Sequence, residues 1–490
     1  MIVPLDETFD GFYSDLSRDQ LPKGSVHRMY DIVPQNDAPG RRRGGWSWAS
    51  KKLSNASAYV AGMGFFHKSG NADSEHLIVV LSDGNVYKLS DPDAEDGVQV
   101  GQLKKVKDPL TQQLLHFGNN VLIFKPTGGY IKWDGKKLSD GHTNYRTGWR
   151  WQDFLVVGNK GKNDSTNQIA FILATDLNNI VVDSEVEMPA EVVGGVGFPR
   201  QNLIFGYSDT WSLIGTQPPP GGDMRLDVLY EGCGCMDQRS IASTADYAVW
   251  VNSTGVFKSN GSELVDLTAV GGTSRFWQGL TREFRLQEGW IAAGGIFRDE
   301  YWITVTNKKG DKSTTLVCDL EKEKWRIYRN IDAAIYASVA GGINQPEEMY
   351  FGHRNQPRVS YVSTLYDFSD EDINSAFDAD GEPILPVIET RYYPVSNGGE
   401  ERVRHLYMEY NLSGAIGYTT MEVEWLETPE SDEYFKSPQV FKPTSKMVRD
   451  RVDIRRKVRG ISFRITQTDP STDTRISKIL LEGHDLSEMR

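Results

Sequence analysis

VVLSDGNVYKL, residues 79–89, reads as an apolar strand, a Ser82-Asp83-Gly84 turn and a second strand. Glycine gives the turn its positive φ without a steric penalty, and the runs on either side have the β-branched and aromatic character of half-buried strands. The same unit returns as VLIFKPTGGYIKW (121–133), LIFGYSDTWSLI (203–214), AVWVNSTGVFKS (248–259) and MYFGHRNQPRVSYV (349–362). Turn centres at Asp83, Gly128, Asp209, Thr254 and Gln356 are separated by 45, 81, 45 and 102 residues. Each long gap holds one further hairpin. FLVV (154–157) turns through Gly158–Asn163 into IAFIL, and YWITVT (301–306) turns through Lys309-Gly310 into TTLVCDL.

Seven turns at intervals of about 45 residues, with roughly four strands each, predict an all-β fold: a β-propeller of about seven blades, six to eight being compatible with the pattern. A β-sandwich array with evenly spaced hairpins is the competing reading. LVCDLEKEKWRIY (316–328) has the form of an outer blade hairpin. Helical periodicity is nearly absent.

The flanks differ. Residues 1–50 carry prolines, the cluster Arg41, Arg42, Arg43 and then Gly44-Gly45-Trp46, and read as an extended N-terminal arm that orders against another surface. The propeller is expected over 51–363. Residues 364–382 hold seven carboxylates and no Lys or Arg, which marks an acidic linker or exposed loop at 364–383. From 384 to 490, strands such as RVRHLYMEYNL and ISFRITQT alternate without the repeat, as in a C-terminal β-sandwich or barrel domain. Residues 446–464 hold eight basic and two acidic side chains. Two readings stay open for that strand: an interface for an acidic neighbour or phosphates, or a solvated edge whose charges block unwanted pairing.

Net charge is −13, from 54 basic and 67 acidic residues, which argues against a dedicated nucleic-acid binder. Three cysteines, Cys233, Cys235 and Cys318, are too few for a disulfide framework. The start MIVPLDETFDGFYSD lacks the basic and apolar regions of a signal peptide, and no run of 18 apolar residues predicts a membrane span.

No catalytic or metal-ligating pattern emerges. There is no G-x-S-x-G elbow, H-E-x-x-H pair or P-loop, and the eight histidines lack ligand spacing. The stretch Asp91–Gly97 departs from a calcium loop at its sixth and twelfth positions. The expectation is a non-enzymatic chain with no cofactor and no metal.

Three stretches carry a family resemblance: VVGGVGFPRQNLIFGYSDTWSLIG (192–215), EGCGCMDQRSIASTADYAVWVNSTGVFKSNG (231–261) and VDIRRKVRGISFRIT (452–466). In order and spacing they resemble the tail stabilisation, or nozzle, proteins of short-tailed bacteriophages, over about residues 190–482. The resemblance implies a structural protein of the virion, assembled in the host cytoplasm. It implies a homohexameric ring below the head-to-tail adaptor that extends the DNA channel and helps retain and then eject the genome. Partners would be the adaptor, tail fibre or tail needle proteins, and passing genomic DNA bound without sequence preference. Against that background Arg41, Arg42, Arg43 and Trp46 are candidate adaptor-docking residues. Asp367, Asp370, Glu371, Asp372, Asp378 and Asp380 are candidates for an acidic channel or gating loop. Arg451, Arg455, Arg456, Lys457 and Arg459 form a candidate basic interface strand. Two other classes remain: a carbohydrate-binding or glycan-degrading tail propeller, and a cellular protein-binding scaffold.

Overall fold

The computed structural model describes residues 2–483 except 7–8, 36–37, 55–56, 68–75, 90–96, 104–112, 142–143, 162–165, 220, 287–288, 340–346, 363–377, 379–382, 396–400, 414–420, 432, 437–443 and 469–472. Strands make up 55% of the described residues and helices 5%, so the fold is all-β.

Six of the seven hairpins form the middle pair of a four-stranded antiparallel sheet, and the sixth in order forms the middle pair of four consecutive antiparallel strands within a larger sheet. The first sheet runs through Val60–Phe66, His76–Leu81, Asn85–Leu89 and Val98–Gln102. The second, third, fourth and fifth begin at Leu114–Phe117, Tyr145–Trp151, Val192–Gly197 and Ala242–Ser243. The sixth set is Trp290–Phe297, Glu300–Asn307, Ser313–Asp319 and Lys324–Tyr328. The seventh has Ala333–Val339, Glu348–His353 and Val359–Tyr361, and takes its fourth strand, Ser47–Trp48, from the beginning of the chain.

Short polar side chains set the turns. Asp83 Oδ1 accepts from Asn85 N at 2.9 Å, Asn252 Oδ1 from Thr254 N at 2.8 Å, and Asn307 Oδ1 from Gly310 N at 3.0 Å. These side-chain caps mimic a backbone turn.

Apolar cores lie between successive sheets. Ile78 and Val80 of the first pack with Val121 and Ile123 of the second. Leu122 and Phe124 meet Leu155 and Val157, and Trp149 and Val156 meet Ile204 and Trp211. Leu203 and Phe205 meet Ala248 and Trp250, and Val249 and Val251 meet Ile303 and Leu316. Trp302 and Val317 meet Tyr336 and Phe351, and Tyr350 and Val359 return to Val79 and Leu81. The packing order is therefore cyclic. Each sheet is covered on both faces, which is why the second strands read as unbroken apolar runs.

Glycine in the first strands permits close approach. A Cβ at Gly195 would fall inside the Trp149 indole, and one at Gly64 would lie 2.9 Å from Leu114 Cβ.

The segment expected as an extended arm is instead woven into the fold. Ile2–Pro4 pairs with Asp473–Gly483, and Phe12 pairs with Trp325. Ser25–Tyr30 pairs with Val387–Thr390, and Ala38–Arg42 with the strand Asp473–Gly483. The sequence hid this because the strands are short and broken by prolines, so alternation has no length in which to show. These N-terminal strands join Glu401–Ser413, Thr444–Val458 and Asp473–Gly483 in a six-stranded sheet. They also link the sixth set to Val387–Thr390, Gly460–Gln467 and Met421–Leu426 in an eleven-stranded sheet. Side chains from both large sheets, among them Met29, Leu406, Val452, Phe463 and Ile479, share one core.

One helix escaped the reading of the sequence. Ser274–Leu286 buries Trp277, Thr281 and Phe284 on a single stripe, and the Trp277 indole N–H donates to Asn252 O at 2.9 Å.

Candidate functional surfaces

One residue of the arginine cluster, Arg43, and one of the acidic stretch, Asp378, expected on separate surfaces, meet in the interior. Arg43 has no exposed side-chain surface and uses all five of its donors. Its Nε donates to Asp31 Oδ1 at 2.9 Å, its Nη1 to Gly44 O at 3.0 Å and Asp378 Oδ1 at 2.8 Å, and its Nη2 to Arg329 O and Asp378 Oδ2, both at 2.8 Å. Arg329 Nε donates to Asp31 Oδ2 at 2.7 Å. Two cations and two carboxylates thus form a neutral set. Burial works against the charge on Arg43, but Asp378 and Asp31 outweigh it and hold its pKa above the ordinary value. Burial pushes the Asp378 carboxyl up, with Arg43 pulling the other way.

This corrects two expectations. Arg42, Arg43 and Trp46 are buried within the chain and present no docking surface, while Arg41 is half-buried. Trp46 is 1% exposed, its N–H donating to Asp378 Oδ1 at 3.2 Å and its indole to Asn330 O at 3.0 Å. Asp378 is 2% exposed and cannot line a channel. The hydrophilic residue types suggested surface, and only partner counting in three dimensions reveals a satisfied interior cluster. Asp367, Asp370, Glu371, Asp372 and Asp380 lie outside the described residues, as do Asp91–Asp96 of the calcium-like stretch.

The basic strand is exposed. Thr444–Val458 is an edge of the six-stranded sheet, with Val452, Ile454 and Val458 inward and Arg451, Arg455, Arg456 and Lys457 outward, followed by exposed Arg459. Arg455 pairs with Asp453 at 3.0 Å and Arg456 with Glu427 at 3.6 Å.

A chain of hydrogen bonds near the end of the cycle was not visible in the sequence. Asp332 Oδ1 lies 2.6 Å from His353 Nδ1, and His353 Nε2 lies 2.7 Å from Ser360 Oγ. The connectivity is that of a nucleophilic triad. Ser360 and His353 are 0% and 1% exposed, however, and the imidazole sits 4.8 Å from Trp46 and 5.0 Å from Trp48 between ring centroids. The relay acts as a clasp that joins Asp332 to the strands Glu348–His353 and Val359–Tyr361 of the seventh sheet.

Cys235 is buried, its thiol pushed up to about 12 by burial, and Cys233 is half-buried with its pKa also raised by burial. Among the described residues, no group of three or more His, Cys, Asp or Glu is placed to hold a metal. No described helix is long and apolar enough to cross a membrane.

No protein-family model matches the chain, and no curated protein matches it. Among solved structures it is similar to the computationally designed Ika8 protein, at 10% identity and a TM-score of 0.37, over 63% of this chain and 98% of that one. So remote a likeness bears no functional argument.

Proposed function

We propose that this chain is a structural subunit of a short-tailed phage tail: a seven-bladed β-propeller joined to a β-sandwich, acting as the nozzle below the head-to-tail adaptor. The observation that carries the reading is continuity. One chain closes its cycle of sheets with its own N-terminal strand and threads the same segment through both large sheets. A body without a free hinge between its parts suits a channel component that must hold pressurised DNA. The stretches that resemble nozzle proteins support the reading by falling on runs of consecutive strands. Residues 192–215 make the first three strands of the fourth sheet, 231–261 lead into and build the fifth, and 452–466 span the basic edge and Gly460–Gln467.

In this reading six copies form a closed ring, which requires a heterologous contact. The exposed row Arg451, Arg455, Arg456, Lys457 and Arg459 supplies one side of it, facing an acidic patch of the next copy. Net charge of −13 favours a lumen that repels phosphates, so DNA slides over it without tight contacts. Tail fibre or needle proteins occupy the distal end.

Cryo-electron microscopy of the native particle tests the proposal. A six-fold ring at a phage vertex, with an acidic lumen, is the expected result. A stable monomer without affinity for tail components would favour a cellular scaffold, and a specific pocket filled by host glycans would favour a carbohydrate-binding tail protein. A basic lumen would remove the sliding argument.

A further inference from the structure

We infer that the exposed face of the helix Ser274–Leu286, together with the adjoining Lys308-Lys309 turn, is a docking surface for the phosphate backbone of duplex nucleic acid. One chain carries the whole face, so it stands or falls apart from the ring. The helix is mounted at three places. Its buried stripe lies over the turn of the fifth sheet, where the Trp277 indole N–H donates to Asn252 O at 2.9 Å and Thr281 Oγ1 to Ser253 O at 3.3 Å. At its start Ser274 N and Arg275 N donate to Asp15 Oδ2 and Oδ1 at 3.1 and 2.8 Å. Beyond its end Gly289 N donates to Phe284 O and Lys308 N to Gly289 O, both at 3.0 Å, which ties the turn of the sixth set to the helix.

What the mounting leaves exposed has one sign. At about 100° per residue, Arg275, Arg282 and Arg285 fall within about 80° of one another on the side away from Trp277, along about 15 Å of helix. All three are exposed, as are Lys308 and Lys309. None of these five cations forms an ion pair with a carboxylate among the described residues. The helix has a single carboxylate, Glu283, which lies on the flank and pairs with Lys312 at 3.1 Å. In a chain of net charge −13, such a group is a local reversal of sign.

Complementing the helix dipole accounts for cations at the C-terminal end, Arg285, Lys308 and Lys309, but does not call for Arg275 in the first turn. The centre of the face selects the partner. Protein interfaces are anchored at their centre by aromatic or aliphatic side chains and shed charge there. Here Gln278 and Gly279 stand between the arginines, and Leu286 is exposed only at the far end. A Cβ at Gly279 would meet nothing within 4 Å, so packing within the chain does not require a glycine that weakens the helix. On a face met by a phosphate backbone, the missing side chain permits close approach. The guanidiniums on either side then reach phosphate oxygens with paired, charge-assisted donors.

The test uses the full chain and a short labelled duplex DNA of arbitrary sequence, followed by fluorescence anisotropy between ~50 and ~200 mM salt. Each neutralised phosphate adds about 0.9 to the slope of log affinity against log salt, so five cations set an upper bound of about 4.5. Saturable binding is expected at the low-salt end, and Arg275→Gln/Arg282→Gln/Arg285→Gln should flatten the slope by about 2.7. Gly279→Glu sets a carboxylate in the middle of the stripe, in open space and with better helix propensity. It should flatten the slope by about 1 while the urea midpoint stays level or rises. No saturable binding by the wild-type chain at ~50 mM salt overturns the inference, as does an unchanged slope in either folded variant. Poly-glutamate that competes as well as unlabelled duplex assigns the face to acidic polypeptides and overturns it too. A six-fold ring that binds no duplex removes the docking face and leaves the tail reading, and a monomer that binds duplex does the reverse.

Discussion

Replacing Arg43 by methionine should be among the most damaging single changes in the chain, and its cost can be worked out from its partners. The substitution keeps most of the side-chain volume and removes five donors. Gly44 O and Arg329 O lose their bonds, Asp31 keeps Arg329, and Asp378, with no exposed side-chain surface, keeps only the N–H of Trp46. Breaking a buried ion pair from one side costs about 3–5 kcal/mol, mostly the penalty of the charge left behind. Arg43→Met/Asp378→Leu removes that charge, so the double variant should cost no more than Arg43→Met alone. Urea unfolding followed by tryptophan fluorescence is the assay, since Trp46 and Trp48 lie in the perturbed cluster. A pH series adds a sign. The Asp378 carboxyl is raised by burial, and without Arg43 nothing comparable opposes the rise. A carboxyl whose folded pKa lies above its unfolded value contributes stability that is full below the unfolded pKa and lost as pH rises through the folded one. The Arg43→Met deficit should therefore shrink as pH falls from neutral towards the carboxylate range. Costs of the two sites that simply add to within ~0.5 kcal/mol, or a deficit that grows on acidification, would refute the reasoning.

Further outcomes follow from the packing. Ser360→Ala should lower stability by about 1–3 kcal/mol, because His353 loses a buried partner, and a fluorophosphonate should leave Ser360 of the native protein unlabelled; rapid labelling would mean the clasp is an active site. Gly195→Ala should destabilise by about 1–3 kcal/mol through collision with Trp149. Gly279→Ala, in the helix with open space around it, should stabilise by about 0.4–1 kcal/mol, and a reversed order in urea melts would contradict the close approach of the first strands. A maleimide should modify Cys233 slowly and spare Cys235 and Cys318 until the protein unfolds, since burial raises all three thiols; mass mapping of native and urea-treated samples decides. Deleting residues 1–46 should yield insoluble chain rather than a folded subunit that fails to attach to tails, because the deletion strips strands from both large sheets.

The repeat was legible because its informative strands are the second and third of each sheet, buried on both faces and joined by turns with strong chemical preferences. The first strands were harder. VAGMGFF (60–66), VVGGVG (192–197) and WIAAGGIF (290–297) are rich in glycine and alanine because neighbouring sheets crowd there, a pattern that looks like loop when read for hydrophobicity alone. The fourth strands, such as Val186–Glu187 and Leu264–Asp266, are too short to show alternation. Both polar clusters escaped for one reason. Asp332–His353–Ser360 spans 28 residues and Arg43–Asp378 spans 335, and neither spacing repeats anything that marks a local motif.

The reading that failed most instructively is the arm. Residues 1–50 have the signature of a segment that folds against a surface: low regularity, arginines, glycines and an anchoring tryptophan. That inference was physically sound, and the surface is the chain itself. Ser47–Trp48 cannot pair until Ser360 and Tyr361 exist, and Ile2 cannot pair until Glu482 does. A segment synthesised well before its pairing partners is thus among the last to dock, and a contact so distant in sequence closes slowly. A strand that waits must resist pairing with other chains, which charge and proline achieve. Arg41 to Arg43 serve both stages, as deterrents in the open chain and, at Arg43, as the lock once Asp378 arrives. A segment that docks late on its own chain therefore carries the same composition as one that docks on a partner, and only the location of the complementary carboxylate tells the two apart.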